Sequence, residues 1–202
     1  MRRSYLICLL ALCLCGCGLM LSPGPAPVRL QLRPVLPGRV TTKPVDMQLV
    51  VARPTAGNEI SSDAIAVSFP NREIRYLSAT FWTADVPFLV QRFMLEALDA
   101  SGGLRGVGDD TMGLAADLRL LIDIREFGLR CLEDGTPSQG VFAAHVRLLD
   151  LRNGKILGSL NVEEKTAAGD GDNSALALAC EGALSQGLAR CVAWVLQNSG
   201  RR

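Results

Sequence analysis

Between Leu118 and Arg125 the chain alternates with period two: Leu118, Leu120, Ile122 and Ile124 fall on one side, Arg119, Leu121, Asp123 and Arg125 on the other. A helix scatters such a set around its axis, so the run predicts a half-buried strand with its aliphatic side against a core. Val141 to Leu151 and Lys155 to Lys165 follow, on either side of Arg152-Asn153-Gly154. Asn-Gly supplies the two positive φ values of a type I′ turn, so these two runs predict an antiparallel hairpin. Three long strands close in sequence define a sheet, and one face of that sheet must be covered.

The remaining elements come from the same two periodicities. Val28 to Arg33 and Asp46 to Ala52 alternate and predict strands, with Pro34 to Pro44 as the loop between them. Ala64 to Phe69 and Glu73 to Leu77 predict two short strands around the turn Pro70-Asn71-Arg72, and Leu104 to Val107 a further short one. Asp85-Val86-Pro87 offers a cap and a first-turn proline, and Val86, Val90, Phe93 and Ala97 recur at helical spacing, so a helix is predicted from about Asp85 to Ala100, ended by Ser101-Gly102-Gly103. A second helix is predicted from about Ser174 to Gln197, capped at Asn173 or Ser174, with Ala177, Cys180, Leu184, Leu188, Cys191 and Val195 on one stripe. The expected fold class is α+β: a mostly antiparallel sheet with two amphipathic helices packed on one face, forming a single domain over residues 28–200.

The first seventeen residues carry a different signal. Arg2 and Arg3 precede the apolar run Leu6 to Leu14, which is too short for a hydrocarbon core of ~30 Å, and a small-residue cleavage site follows. Leu14-Cys15-Gly16-Cys17 resembles a lipobox, with Cys17 as the acylated residue. Residues 1–16 are therefore expected to be a lipoprotein signal peptide, and 17–27 the lipidated N-terminus with a proline-punctuated tether. Acyl chains bury methylenes at ~0.8 kcal/mol each, so a multiply acylated Cys17 would hold the domain firmly to a membrane. Gly18 stands where Asp would resemble an inner-membrane retention signal. This leans toward the periplasmic face of the outer membrane and leaves the inner membrane open. The formal charge of +1 falls by two to −1 once Arg2 and Arg3 leave, so no basic field exists to gather phosphates and nucleic-acid binding is not expected.

Four of the seven cysteines lie in the signal, leaving Cys131, Cys180 and Cys191. Cys180 and Cys191 are separated by about 16 Å on one helix, beyond the ~7 Å Cα limit of a disulfide, whereas Cys131 could reach one of them. The reading as small buried apolar residues is favoured over pairing.

Several segments together resemble the ABC-type transport auxiliary lipoprotein family, the small lipoproteins that accompany MCE-type lipid transport systems such as the Pqi system. They are the lipobox at Cys17, the strand Val28 to Arg33 after a Pro-rich tether, Arg75 to Pro87 with its Phe81-Trp82 pair before a capped helix, the break at Leu98 to Gly102, and Leu118 to Phe127. The resemblance implies a non-enzymatic component of an envelope transport assembly. Its partners would be an MCE-domain periplasmic protein and, indirectly, an ABC permease and ATPase, with self-association into a ring as a further implication. The alternative function is a structural outer-membrane assembly lipoprotein that binds an integral barrel.

Catalytic groups are sparse. His145 is the only histidine, and within a strand it reads as a structural residue. No hydrolase, redox or phosphate-loop motif follows the signal, so neither enzymatic activity nor a cofactor is expected. Asp170-Gly171-Asp172-Asn173-Ser174 with Glu181 superficially resembles a calcium loop, but Ala175 occupies the place that needs glycine, and no metal is expected. The aromatic candidates for a partner contact are Phe81, Trp82 and Trp194. The strand–helix junction favours burial of the first two, while Trp194 lies off the apolar stripe of its helix.

Overall fold

The computed structural model describes residues 26–40, 43–169 and 171–200. Its elements are β1 (Val28–Leu30), β2 (Val45–Val51), β3 (Thr55–Ala56), a 3₁₀ turn (Asn58–Ile60), β4 (Ala64–Ser68), β5 (Ile74–Trp82), α1 (Val86–Ser101), β6 (Leu104–Asp109), β7 (Leu118–Cys131), β8 (Pro137–Asp150), β9 (Lys155–Ala167) and α2 (Asn173–Ser199).

β7 is the axis of the sheet. One of its edges pairs antiparallel with β8 along its whole length, and β8 pairs antiparallel with β9. The other edge takes three short strands in turn, all parallel: β2 at Leu118–Leu120, β3 at Asp123–Ile124 and β4 at Gly128–Arg130. β2 carries β6 in parallel, while β4 carries β5 antiparallel and β5 carries β1 in parallel. The α+β class therefore holds. The long pairings are antiparallel, and the sheet as a whole is mixed because the short strands reach β7 through crossovers rather than hairpins.

One face of the sheet builds the core. Leu118, Leu120, Ile122 and Ile124 of β7 lie beside Leu148, Val146 and Ala144 of β8, all buried. A bulge at Arg125 then reverses the parity, so that Phe127 and Leu129 return to the same face opposite Phe142 and Gly140. The strand runs on to Cys131, six residues past Arg125 where the alternation stops and four past the Phe127 of the family-like segment.

α2 lies over β8 and β9, α1 over β6 and β2, and the two helices touch. The close approach of α2 requires a bare backbone on β8, because a Cβ at Gly140 would stand 2.1 Å from the Ala179 carbonyl carbon. α1 follows its predicted grammar: the Asp85 carboxylate accepts from the Phe88 N–H at 2.8 Å, and Gly102 closes the helix with φ of 60°. The cap of α2 is Asp172, earlier than Asn173 or Ser174; its carboxylate accepts from the N–H groups of both Ser174 and Ala175. Asn173 instead donates to Thr80 Oγ1 at 2.7 Å, tying the helix start to β5.

Two further expectations are corrected. β1 ends at Leu30 rather than Arg33, yet the alternation continues, with Leu32 and Pro34 buried and Arg33 and Val35 exposed. Here it is read against a helix: the N–H groups of Arg33 and Val35 donate to Glu181 Oε2 and Ser185 Oγ, one turn apart on α2. The β8–β9 turn is a four-residue loop, not a two-residue type I′ turn, since only Gly154 takes a positive φ, at 70°. The Gly154 N–H closes it on the Asp150 carbonyl at 2.9 Å. The Asp150 carboxylate accepts from the Arg152 N–H, the Arg152 guanidinium and Asn153 Nδ2, which holds the loop in this longer form.

Candidate functional site

The face of the sheet away from the helices is polar and half exposed. β7 presents Arg119, Leu121, Asp123, Glu126 and Arg130 there, beside His145 and Arg147 of β8 and Asn161, Glu163 and Lys165 of β9. Arg130 joins Glu126 through two nitrogens and reaches Glu163 at 3.1 Å, and Lys165 closes on Glu163 at 2.9 Å. These contacts displace the ionisation of both signs. The hydrogen bonds to Glu126 raise the guanidinium of Arg130, and those from Lys165, then Arg130, hold the Glu163 carboxyl below its ordinary value. Val141 is fully buried at the register position between Gly128 and Lys165, apart from the main core cluster.

At the C-terminal end of β7 this face opens into a cleft of about 490 Å³. Ala66 and Ser68 of β4 and Gly128 form part of its floor. Phe69 and Ile74, from the ends of the β4–β5 turn, and Ile60 give it apolar walls, while Arg72, Arg125 and Arg130 alternate with Glu59, Glu73 and Glu126 around it. The guanidinium of Arg75 lies 4.7 Å from the centre of the Phe69 ring. Arg72 holds φ of 69° and Ala79 φ of 49°, the two non-glycine residues with positive φ among the described residues, so both strained positions belong to the turn into β5 and to β5 itself. The sequence places Arg72 in a turn and Arg75 and Ala79 in the family-like segment, but it marks none of these residues as a site. The available signal was the break in alternation at Arg125-Glu126.

The aromatic candidates separate. Trp82 is fully buried against Phe127, with ring centres 5.6 Å apart, as the strand–helix junction favours, so it offers no surface to a partner and its place among the partner-contact candidates is withdrawn. Phe81 is half buried with the Arg29 guanidinium 5.8 Å from its ring centre. Trp194 is half buried, its ring 3.3 Å from the place a Cβ would take at Gly158 of β9. Phe81 and Trp194 stand on different elements, β5 and α2, and not in one patch.

His145 Nδ1 lies 2.7 Å from Asn161 Oδ1, its cross-strand neighbour. Cys131, Cys180 and Cys191 are all free and buried, and the Cys180 thiol donates to the Gly128 carbonyl at 3.2 Å. Burial pushes the thiols of Cys180 and Cys191 up to about 12. Among the described residues no group of three His, Cys, Asp or Glu side chains could hold a metal, and no helix is long and apolar enough to cross a membrane. Cys17 and Asp170 lie outside the described residues.

Fold and surface thus define a mixed sheet backed on one face by two helices, with a charged second face. Solved structures share that architecture. Protein XCC0632 from Xanthomonas campestris superposes with a TM-score of 0.75 at 22% identity, covering 85% of this chain and 96% of that one. Protein CT253 from Chlamydia trachomatis does so with a TM-score of 0.54 at 10% identity, covering 78% and 100%. No curated protein matches the chain in sequence. The model of the family described as the ABC-type transport auxiliary lipoprotein component matches residues 30–193. The chain belongs to that family, and so to the lipid-anchored envelope proteins.

Proposed function

We propose that this protein is a non-enzymatic component of an envelope ABC transport system of the MCE type, moving lipids, and that it docks or stabilises the periplasmic part of the assembly at a membrane. The observation that carries the reading is the family match, which spans nearly the whole folded region from β1 into the last turns of α2. In this reading Cys17 carries the acyl chains and sits at the periplasmic face of the outer membrane. The chain after the tether is suited to bear load. β1 joins the sheet beside β5, and the next residues are tied to α2 through Glu181 and Ser185. A force on the anchor would therefore reach both layers of the fold. Tethering also raises the local concentration of the domain near a second envelope component, so a modest interface would suffice.

Purification of the full-length lipoprotein in mild detergent tests the reading. An MCE-domain protein is expected to co-purify, with permease and ATPase following it. Recovery of an integral barrel in its place would favour an outer-membrane assembly role instead.

A further inference from the structure

The second edge of β5 is open for half its length. β1 pairs with it only at Thr80–Trp82, and among the described residues no strand pairs with that edge at Ile74–Ser78. The hydrogen-bonding direction of this stretch follows from the turn before it. The Phe69 N–H donates to the Glu73 carbonyl at 2.9 Å, which makes Phe69 and Glu73 a hydrogen-bonded pair. Antiparallel pairs alternate, so Arg75 is bonded to Val67 while Ile74 and Tyr76 turn both their N–H and C=O groups toward the free edge. Those same two residues lie in register with Ser68 and Ala66 and carry exposed side chains, 44% for Ile74 and 49% for Tyr76. Ile74 also lines the cleft.

Sheets normally blunt such an edge with charge. β9, the long outer strand, does so with Lys155, Glu163 and Lys165. The edge of β5 carries one cation, Arg75, which is paired with Glu73, and on either side of it the exposed side chains of Ile74 and of Tyr76, whose hydroxyl donates to the Glu59 carbonyl; its four free backbone hydrogen-bonding groups suit an extended chain. The chain's own tether is a poor candidate: proline stands at 23, 25 and 27 and has no N–H to give, and Ala26 and Pro27 are already outside the ladder. A second copy is disfavoured by charge. The two-fold register that pairs Ile74 of one copy with Tyr76 of the other sets Arg75 directly opposite Arg75.

We propose that the β5 edge at Ile74–Tyr76 is a strand-addition site for an extended segment of another polypeptide, with apolar residues at two alternate positions and no cation between them. This goes beyond the transport reading and does not depend on which system the protein serves. The test places a photo-reactive p-benzoylphenylalanine at Ser78, exposed in the same open stretch and leaving Arg75 in place, in the full-length lipoprotein, irradiates whole cells, and maps the cross-linked peptide by mass spectrometry. The expected result is a cross-link to a segment of a different polypeptide with that alternating pattern, weakened at least tenfold by Tyr76→Pro, which deletes an edge-facing N–H and the hydroxyl's bond to the Glu59 carbonyl but no bond to β4. Ile74→Lys, which keeps the backbone intact, should weaken it similarly and serves where Tyr76→Pro lowers the melting temperature. Cross-linking to residues 18–27 of the same chain, to a second copy, or to nothing would overturn the proposal, as would a cross-link unaffected by either substitution.

Discussion

Asp150 shows how much one buried carboxylate decides. It is 4% exposed at the end of β8, and its oxygens receive four hydrogen bonds from Arg152 and Asn153. Arg152 is partly exposed and can turn to water, so Asp150→Ala should cost about 2 kcal/mol rather than the larger penalty of a stranded buried charge. Urea unfolding should register that loss, and an unchanged midpoint would contradict this account of the turn. The cysteines make a second case. With its pKa at about 12, the Cys180 thiol is ionised at pH 8 to roughly one part in ten thousand. A maleimide reagent should therefore leave Cys180 and Cys191 unmodified in the folded protein and label both in guanidinium chloride; rapid labelling of the native chain would show that α2 does not seal this part of the core.

At the scale of elements, the contact between α2 and β8 is the critical joint. Gly140→Ala would drive a methyl group into the backbone of Ala179 and Cys180, which cannot yield as a side chain would, and should cost about 3 kcal/mol. Gly38→Ala, where nothing lies within 4 Å, is the control and should leave the thermal midpoint unchanged. The same contrast between local and distant causes explains what could be read from the sequence. Both helices were legible because Asp85, Gly102 and the apolar stripes act within a few residues of where they stand. The long strands were legible because alternation is local, but the end of β7 was not, since the bulge at Arg125 reverses its parity. Parallel pairings leave no turn to recognise. At Arg152-Asn153-Gly154 the Asn-Gly dipeptide points to a two-residue turn, whereas the Asp150 carboxylate sets the longer loop. The cleft escaped altogether, because its walls come from the 3₁₀ turn, the β4–β5 turn and β7 and meet only in the fold.

For the whole molecule, the layered sheet divides the labour. One face is committed to α1, α2 and the Trp82–Phe127–Phe142 aromatic group, and the other carries ion pairs and a cleft. With Cys17 acylated as proposed, the tether would lead into β1 at the edge of the sheet, and a protein held from that side would leave the charged face available to a partner. On this account the domain works only as part of a transporter, and its loss should be equivalent to loss of the motor. The most direct measurement deletes this gene and the gene for the transporter's ATPase, singly and together, and reads the entry of a hydrophobic dye through the outer membrane. The account predicts the same leakiness in both single mutants and no increase in the double mutant; additive leakiness would place the protein outside that transport system.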